Sequence, residues 1–404
     1  MSNQITPQEI LQRAHALHDQ VRTWRRNIHQ HPEISYTEVE TARLVNGVLH
    51  GLDIESETGV AKTGVVGHIV GKTGPTIGLR ADMDALPIQE ENETDFDSKR
   101  DGLMHACGHD AHTAILMGAA SVLKGFADEG RLPGNVRLLF QPSEETVDDE
   151  NKSGGKRMVE EGALQNLDAV FGLHVDPGSA TGTVGTRAGA MMAAADLFDL
   201  TIRGFGGHGA RPNLANDPIV LTAQVVQAIN NIVSRRLDPL ESGVISLGTI
   251  HAGNARNVIP EYVELSGTIR TMNTEIQDQI HEELHRACST VEALDGSYDL
   301  NIIKGYPPTV NDPQATEMAF DALGAMLGQD NVFEKVSVMA SEDFSQMLQE
   351  APGCFLRLGV QDPTWDRVYP VHTSTFRLDE NALPIGVASL VAVAVQWMQN
   401  RDSV

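Results

Sequence analysis

The sequence predicts an α/β fold, a central mixed sheet covered by helices, with a smaller α+β domain inserted into it. Three observations carry this expectation. Strand-like and helix-like runs alternate between residues 64 and 175, as in a sheet covered on both faces. Near residue 190 the order changes to β-α-β-β-α-β, the ferredoxin-like arrangement of a small α+β unit. Finally, 404 residues are enough chain for two hydrophobic cores rather than one.

Taken in order, residues 7–27 place Ile10, Leu11, Ala14, Leu17, Val21 and Trp24 at helical spacing, and 41–49 reads as a second helix. Runs 64–70 and 76–80 are β-like, with Gly and Pro between them. Residues 112–126 read as a buried helix, and 135–141 and 169–175 as strands. Past residue 190, the segments 196–203, 244–251, 261–271 and 298–304 read as strands, and 218–236 and 275–291 as helices. These segments set the expected boundaries: 1–189 with 305–404 for the first domain, 190–304 for the insertion. Residues 148–155 read as a polar surface loop. The stretch 381–400 carries no charge, but it contains Pro384, Gly386, Ser389, Gln396 and Trp397, and its apolar part is short for a membrane span. It predicts a buried C-terminal helix starting near Pro384.

The balance of 30 Lys+Arg against 55 Asp+Glu leaves a net charge of −25, a surface that repels phosphate backbones and anionic membranes. Neither nucleic acid nor a membrane is an expected partner. The three cysteines, Cys107, Cys288 and Cys354, are widely spaced and odd in number, which fits a reducing cytoplasm rather than a disulfide framework. The N-terminus shows no basic segment followed by an apolar one, so no signal peptide is read there.

The densest chemistry lies at residues 105–112, where HACGHD runs into the predicted helix with three His, one Cys and one Asp within eight residues. Cys107 and His109 can both reach one ion, because Gly108 lets the backbone turn sharply. QPSEE at 141–145 follows a strand directly, and its two carboxylates can divide hydrolytic work, one binding metal and the other taking a proton from the attacking water. Composition alone leaves open which glutamate does which. His174 closes an apolar strand and His372 lies in YPVHTSTF; with Cys107, His109 and Glu145 they make five candidate ligands, more than one tetrahedral zinc needs. RADMDALP at 80–87 places Asp82 and Asp84 where they could orient a ligating imidazole or cap a turn. GFGGHGARP at 204–212 matches G-x-G-x-x-G literally, but Pro212, Asn213 and Asn216 argue against a helix starting there, so a dinucleotide site is not expected. His208 on such a loop is placed to donate to a developing oxyanion. SVLK at 121–124 lies in an apolar helix and carries no expected chemistry.

These motifs, with NARNVIP, SEDF, the late HxxxF and the N-terminal RRNIHQHPEISYTE, resemble the aminoacylase–carboxypeptidase family of binuclear metallohydrolases. The resemblance is to its branch of hippurate hydrolases, indole-acetyl-amino-acid hydrolases and related N-acyl-amino-acid amidohydrolases, and it covers nearly the whole chain. It implies a metallopeptidase-like catalytic domain with an inserted lid domain that mediates dimerisation. It implies metal ligands Cys107, His109, Glu145, His174 and His372, with Glu144 as general base. His208 would stabilise the oxyanion, and Asn257 and Arg270 would hold the substrate. Two divalent ions per subunit are implied, and the mixed donor set admits Mn, Zn, Co or Ni. The implied substrate is a small N-acyl amino acid, with a carboxypeptidase or dipeptidase as the alternative. Two departures bear on substrate preference: an acidic loop at 146–153 beside the glutamate pair, and Asn213 where histidine is common after GARP.

Overall fold

The computed structural model describes residues 4–401, and its chain divides into two compact units. The first comprises residues 1–189, 310–336 and 343–404, and the second 190–309 and 337–342. The insertion expected to end at 304 therefore runs five residues further. It also takes back 337–342, because Val338 N–H donates to Met191 O and Ala193 N–H to Ala340 O.

The first unit is built on an eight-stranded mixed sheet. In spatial order its strands are Glu55–Val60, Gly64–Ile69, Asn135–Gln141, Thr76–Asp82, Ala169–Ala180, Gly353–Gln361, Val184–Thr186 and Val332–Glu334. The four strands from Asn135–Gln141 to Gly353–Gln361 run parallel, and their burial on both faces accounts for their near-continuous apolar composition. Helix His109–Asp128 packs on this sheet, fifteen of its residues buried, so it shows little amphipathic contrast. It begins three residues earlier than the sequence suggested, at a left-handed Gly108. Helix Leu383–Arg401 packs against it, with Val387 over Gly118; this uncharged segment is core, as its buried Val391, Val393 and Val395 show. Each such side chain contributes about 1.5–3 kcal/mol on removal from water.

The expected helix over 7–27 is two helices, Pro7–Ala16 and His18–Gln30, broken at Leu17. Apolar spacing continues across the break because both segments face one core, through Ile10, Ala14, Val21 and Ile28. Residues 154–160, within and beyond the expected loop, form a short helix capped by Ser153.

The second unit is a four-stranded antiparallel sheet in the order Gly243–Ala252, Tyr262–Thr271, Ala194–Arg203 and Ser297–Tyr306. Helices Pro218–Arg235 and Thr274–Ser289 cover one face around Phe198, Val225, Ile229, Ile280 and Leu284, giving the ferredoxin-like β-α-β-β-α-β order.

Candidate metal centre

In an open α/β sheet the ends of the parallel strands are where ligands bind. Here strand Thr76–Asp82 ends in the Asp82–Asp84 pair, and strand Asn135–Gln141 runs into the turn carrying Glu144 and Glu145. Strand Ala169–Ala180 carries His174, and helix His109–Asp128 starts on a candidate ligand. Gly108 is required at that start. Its φ is 88°, and a Cβ there would lie 2.5 Å from Val175 Cγ2. His372 also has a left-handed backbone (φ 61°), and its N–H is tied to Ala106 O at 2.8 Å.

Cys107 is the hub. Its Sγ lies 3.3 Å from His174 Nε2 and 3.3 Å from His372 Nε2. His372 Nε2 is in turn 3.1 Å from Glu145 Oε1. Two three-donor groups result, Cys107–His109–His174 and Cys107–Glu145–His372, with the donor atoms of each within 4.8 Å of one another. Glu144 stands against Glu145 and His109 within the same limit.

The imidazoles are oriented from behind. His174 Nδ1 is 2.7 Å from the Val175 carbonyl, which can only accept, so the proton sits on Nδ1 and the Nε2 lone pair faces Cys107. His109 Nδ1 lies 3.2 Å from Asp84 Oδ1, and its buried Nε2 has no hydrogen-bond partner among the described residues. That nitrogen faces the carboxylates of Asp82 (3.7 Å) and Glu145 (3.9 Å) without hydrogen-bonding either, which fits a donor to a metal ion. His112 differs. Its Nε2 accepts from Val175 N–H at 2.9 Å and its Nδ1 is 2.6 Å from Asp82 Oδ1, so both nitrogens are spent and it braces rather than binds.

Electrostatics follow from this packing. Burial pushes the Cys107 thiol up to about 12. Burial also works on Asp84 in the raising direction, but hydrogen bonds from His109, Ser35 and the Glu144 peptide hold it below the usual carboxylate range. Asp82 is likewise held well down, by Arg80, His109 and His112 against its own burial. His109 is raised well above its ordinary value, Asp82 and Cys107 overcoming its burial, and His174 is driven well below by burial and by Arg357. The centre thus holds mixed sulfur, nitrogen and oxygen donors with anionic support, which suits divalent metal ions.

Some partners were not legible as site residues. Arg80, fully buried, donates to Asp82 Oδ2 (2.7 Å), Gln141 Oε1 (2.8 Å) and Asp343 Oδ1 (2.8 Å). Asp343 also accepts from Gln141 Nε2 and Gly155 N–H, and its own peptide N–H donates to Glu144 Oε1 at 3.3 Å. Asp84 accepts the peptide N–H of both Glu144 and Glu145, each at 3.1 Å. The available signal was an arginine within an otherwise apolar strand, which cannot be buried without carboxylates. His105, from the same motif as Cys107, is buried with neither ring nitrogen hydrogen-bonded among the described residues, stays neutral down to about 3 through burial, and joins neither donor group. The acidic loop at 146–153 closes on itself. Asp148 accepts from Glu150 N–H and Lys152 N–H and pairs with Lys62 and Arg157.

In the second unit, strand Gly207–His208 pairs with Val258–Ile259, and Gly209 N–H donates to Asn257 O at 2.9 Å, so His208 and Asn257 are neighbours. The exposed His208 ring accepts Ala210 N–H at Nδ1. Arg270, near the end of strand Tyr262–Thr271, donates to Ser341 Oγ at 2.9 Å. No α-helix begins within 204–212; a single 3₁₀ turn, Pro212–Leu214, follows His208, which rules out the dinucleotide geometry.

Residues 78–396 match the family model for peptidase family M20/M25/M40. The chain belongs to that family. As an M20 protein it is a metallohydrolase of amide bonds. It is 39% identical to thermostable carboxypeptidase 2 of Saccharolobus solfataricus over 92% of this chain and 94% of that one. It is 39% identical to IAA-amino acid hydrolase ILR1-like 2 of Arabidopsis thaliana, over 94% and 85%. The crystal structure of a dinuclear metal-binding M20 peptidase from Bacillus subtilis superposes with a TM-score of 0.82 at 33% identity, covering 95% of this chain and 99% of that one.

Proposed function

We propose that this M20 chain is a binuclear amidohydrolase that cuts the amide bond of small N-acyl amino acids. The observation that carries the reading is the sharing of Cys107 between two three-donor groups, beside a glutamate, Glu144, whose carboxylate accepts the Asp343 peptide N–H, whose own peptide N–H donates to Asp84, and which is not needed in either group. One ion would be held by Cys107, His109 and His174, and a second by Cys107, Glu145 and His372. Bound there, divalent ions would supply Lewis acidity, polarising the acyl carbonyl and lowering the pKa of a water.

Glu144 takes a proton from the attacking water as the new C–O bond forms, and passes it to the nitrogen as the C–N bond breaks. The products are a carboxylic acid and a free amino acid. The peptide N–H of Asp343 and the Asp84 clamp keep the Glu144 carboxylate in one place through both transfers. His208 serves as oxyanion donor and Asn257 and Arg270 as substrate holders, with the second unit acting as a lid and as the contact of a homodimer. Arg270 suits a substrate carboxylate because its planar guanidinium offers a forked pair of donors.

A second reading, a carboxypeptidase or dipeptidase, is favoured by the similarity to thermostable carboxypeptidase 2. Both reactions break an amide beside a free carboxylate. A panel of N-acetyl and N-benzoyl amino acids against dipeptides, assayed with Mn²⁺, Zn²⁺ or Co²⁺, separates them. The amidohydrolase reading expects kcat/KM for the best N-acyl amino acid to exceed that for any dipeptide by at least about tenfold, or ~1.4 kcal/mol of transition-state discrimination. The reverse order would hand the site to the peptidase reading.

A further inference from the structure

The N-terminal motif HPEISYTE contains two glutamates, Glu33 and Glu38, and both are buried. Glu33 has an evident local task. Its carboxylate accepts the N–H groups of Glu40 and Thr41 and so caps the first turn of helix Val39–Gly51. Glu38 stands at the N-cap position of that helix yet makes no side-chain capping bond to it. Its carboxylate, fully buried, instead accepts Tyr36 N–H at 3.0 Å, Thr63 Oγ1 at 2.5 Å and, 105 residues along the chain, Ser143 N–H at 2.8 Å. Among the described residues it has no Lys or Arg ion-pair partner; burial and the nearby Asp84 push its carboxyl up to about 7, and neutral donors alone hold it in place.

Ser143 immediately precedes Glu144, and its φ of 46° is left-handed, a conformation that a non-glycine residue holds only when its surroundings impose it. The surroundings are visible. Ser143 N–H goes to Glu38, Ser143 Oγ donates to Thr146 O at 2.9 Å, and Ser143 O accepts Gly154 N–H at 2.8 Å. The direction in which the chain leaves Ser143 decides where Glu144 points.

We propose that Glu38 is a positioning residue for Glu144, holding Ser143 in its left-handed conformation through the Ser143 peptide N–H. The inference rests on the reading of Glu144 as the proton carrier. The Tyr36 and Ser143 peptide N–H groups both converge on Glu38 Oε1, while Oε2 takes the Thr63 hydroxyl, which can itself accept; a glutamine would keep this tether, and only loss of the Oε1 acceptor breaks it.

The test uses the full-length metal-loaded protein and four variants: Glu38→Ala, Glu38→Asp, Ser143→Gly and the double variant Glu38→Ala/Ser143→Gly. In Glu38→Ala, which removes the Oε1 acceptor, kcat falls about ten- to a hundredfold, the range that a misplacement of order 1 Å costs. KM stays within about threefold and the bound-metal content is unchanged, since no ligand has been touched. Glu38→Asp, which keeps the carboxyl group but is one methylene short of Ser143, shows the same loss and covers the case in which the alanine variant does not fold. Glycine adopts the left-handed region without a tether, so Glu38→Ala costs several-fold less in the Ser143→Gly background than in the wild type. Wild-type kcat in both Glu38 variants, or an equal cost of Glu38→Ala in both backgrounds, would overturn the proposal. Loss of metal in step with kcat would also overturn it, by making Glu38 a general support of the centre. Running Glu144→Gln alongside separates the two levels: if that variant is inactive and the Glu38 variants are normal, only the positioning role fails.

Discussion

Glu144→Gln keeps its metal and loses turnover by about 10²–10⁴-fold, the range expected on removal of a general acid–base group. The amide is nearly isosteric and its oxygen still accepts the Asp343 peptide N–H, while the Asp84 bonds go to backbone that the substitution leaves alone. Geometry is therefore retained and only the capacity to carry a proton is lost. KM for an N-acyl amino acid changes little, because the contribution removed belongs to the transition state. Elemental analysis of the purified variant beside its steady-state kinetics checks both halves. Turnover near the wild-type rate would assign the proton to another group, and loss of metal would make Glu144 a ligand.

Cys107→Ala has the second large effect, on binding rather than chemistry. It removes the one donor common to both groups, leaving His109 with His174 on one side and Glu145 with His372 on the other. Loading of both ions weakens by more than the roughly 10- to 100-fold that changes behind the ligands cost, and activity falls with it. The pH dependence carries the same signature. Burial pushes the Cys107 thiol up to about 12, so near neutrality the metal-free chain holds it protonated, and a metal must displace that proton to reach the thiolate. Each proton released makes affinity fall about tenfold per unit fall in pH. Wild-type loading therefore weakens as pH drops, and Cys107→Ser, whose hydroxyl need not ionise, shows a slope shallower by about one proton. Calorimetric titration at several pH values measures the slope; identical slopes would mean that the sulfur is not a ligand.

The legible parts of this molecule were those written in local chemistry. The strands announced themselves because burial on both faces demands apolar runs such as 138–140, and the helices of the inserted domain because one face of each covers a sheet. The Cys107–His109 pair was legible because three donor types crowd into a few residues around a glycine. What escaped was of two kinds. Helix ends escaped where both sides of a break face the same core, as at Leu17, since apolar spacing then continues unbroken. Pairings across long stretches of chain also escaped. Arg80 meets Asp343 across 263 residues and Glu38 meets Ser143 across 105, and no periodicity encodes such meetings. The acidic loop beside the glutamate pair read as a departure bearing on substrate preference; its Asp148 takes its countercharges from Lys62 and Arg157, which no local pattern encodes.

Metal titration of the chelated protein, following bound ions and release of free amino acid from an N-acyl amino acid in the same samples, tests the central claim most directly. Two ions per chain, with turnover absent in the chelated protein and restored as they bind, is the expected result. Full turnover with no metal bound, or saturation at a single ion per chain, would contradict it.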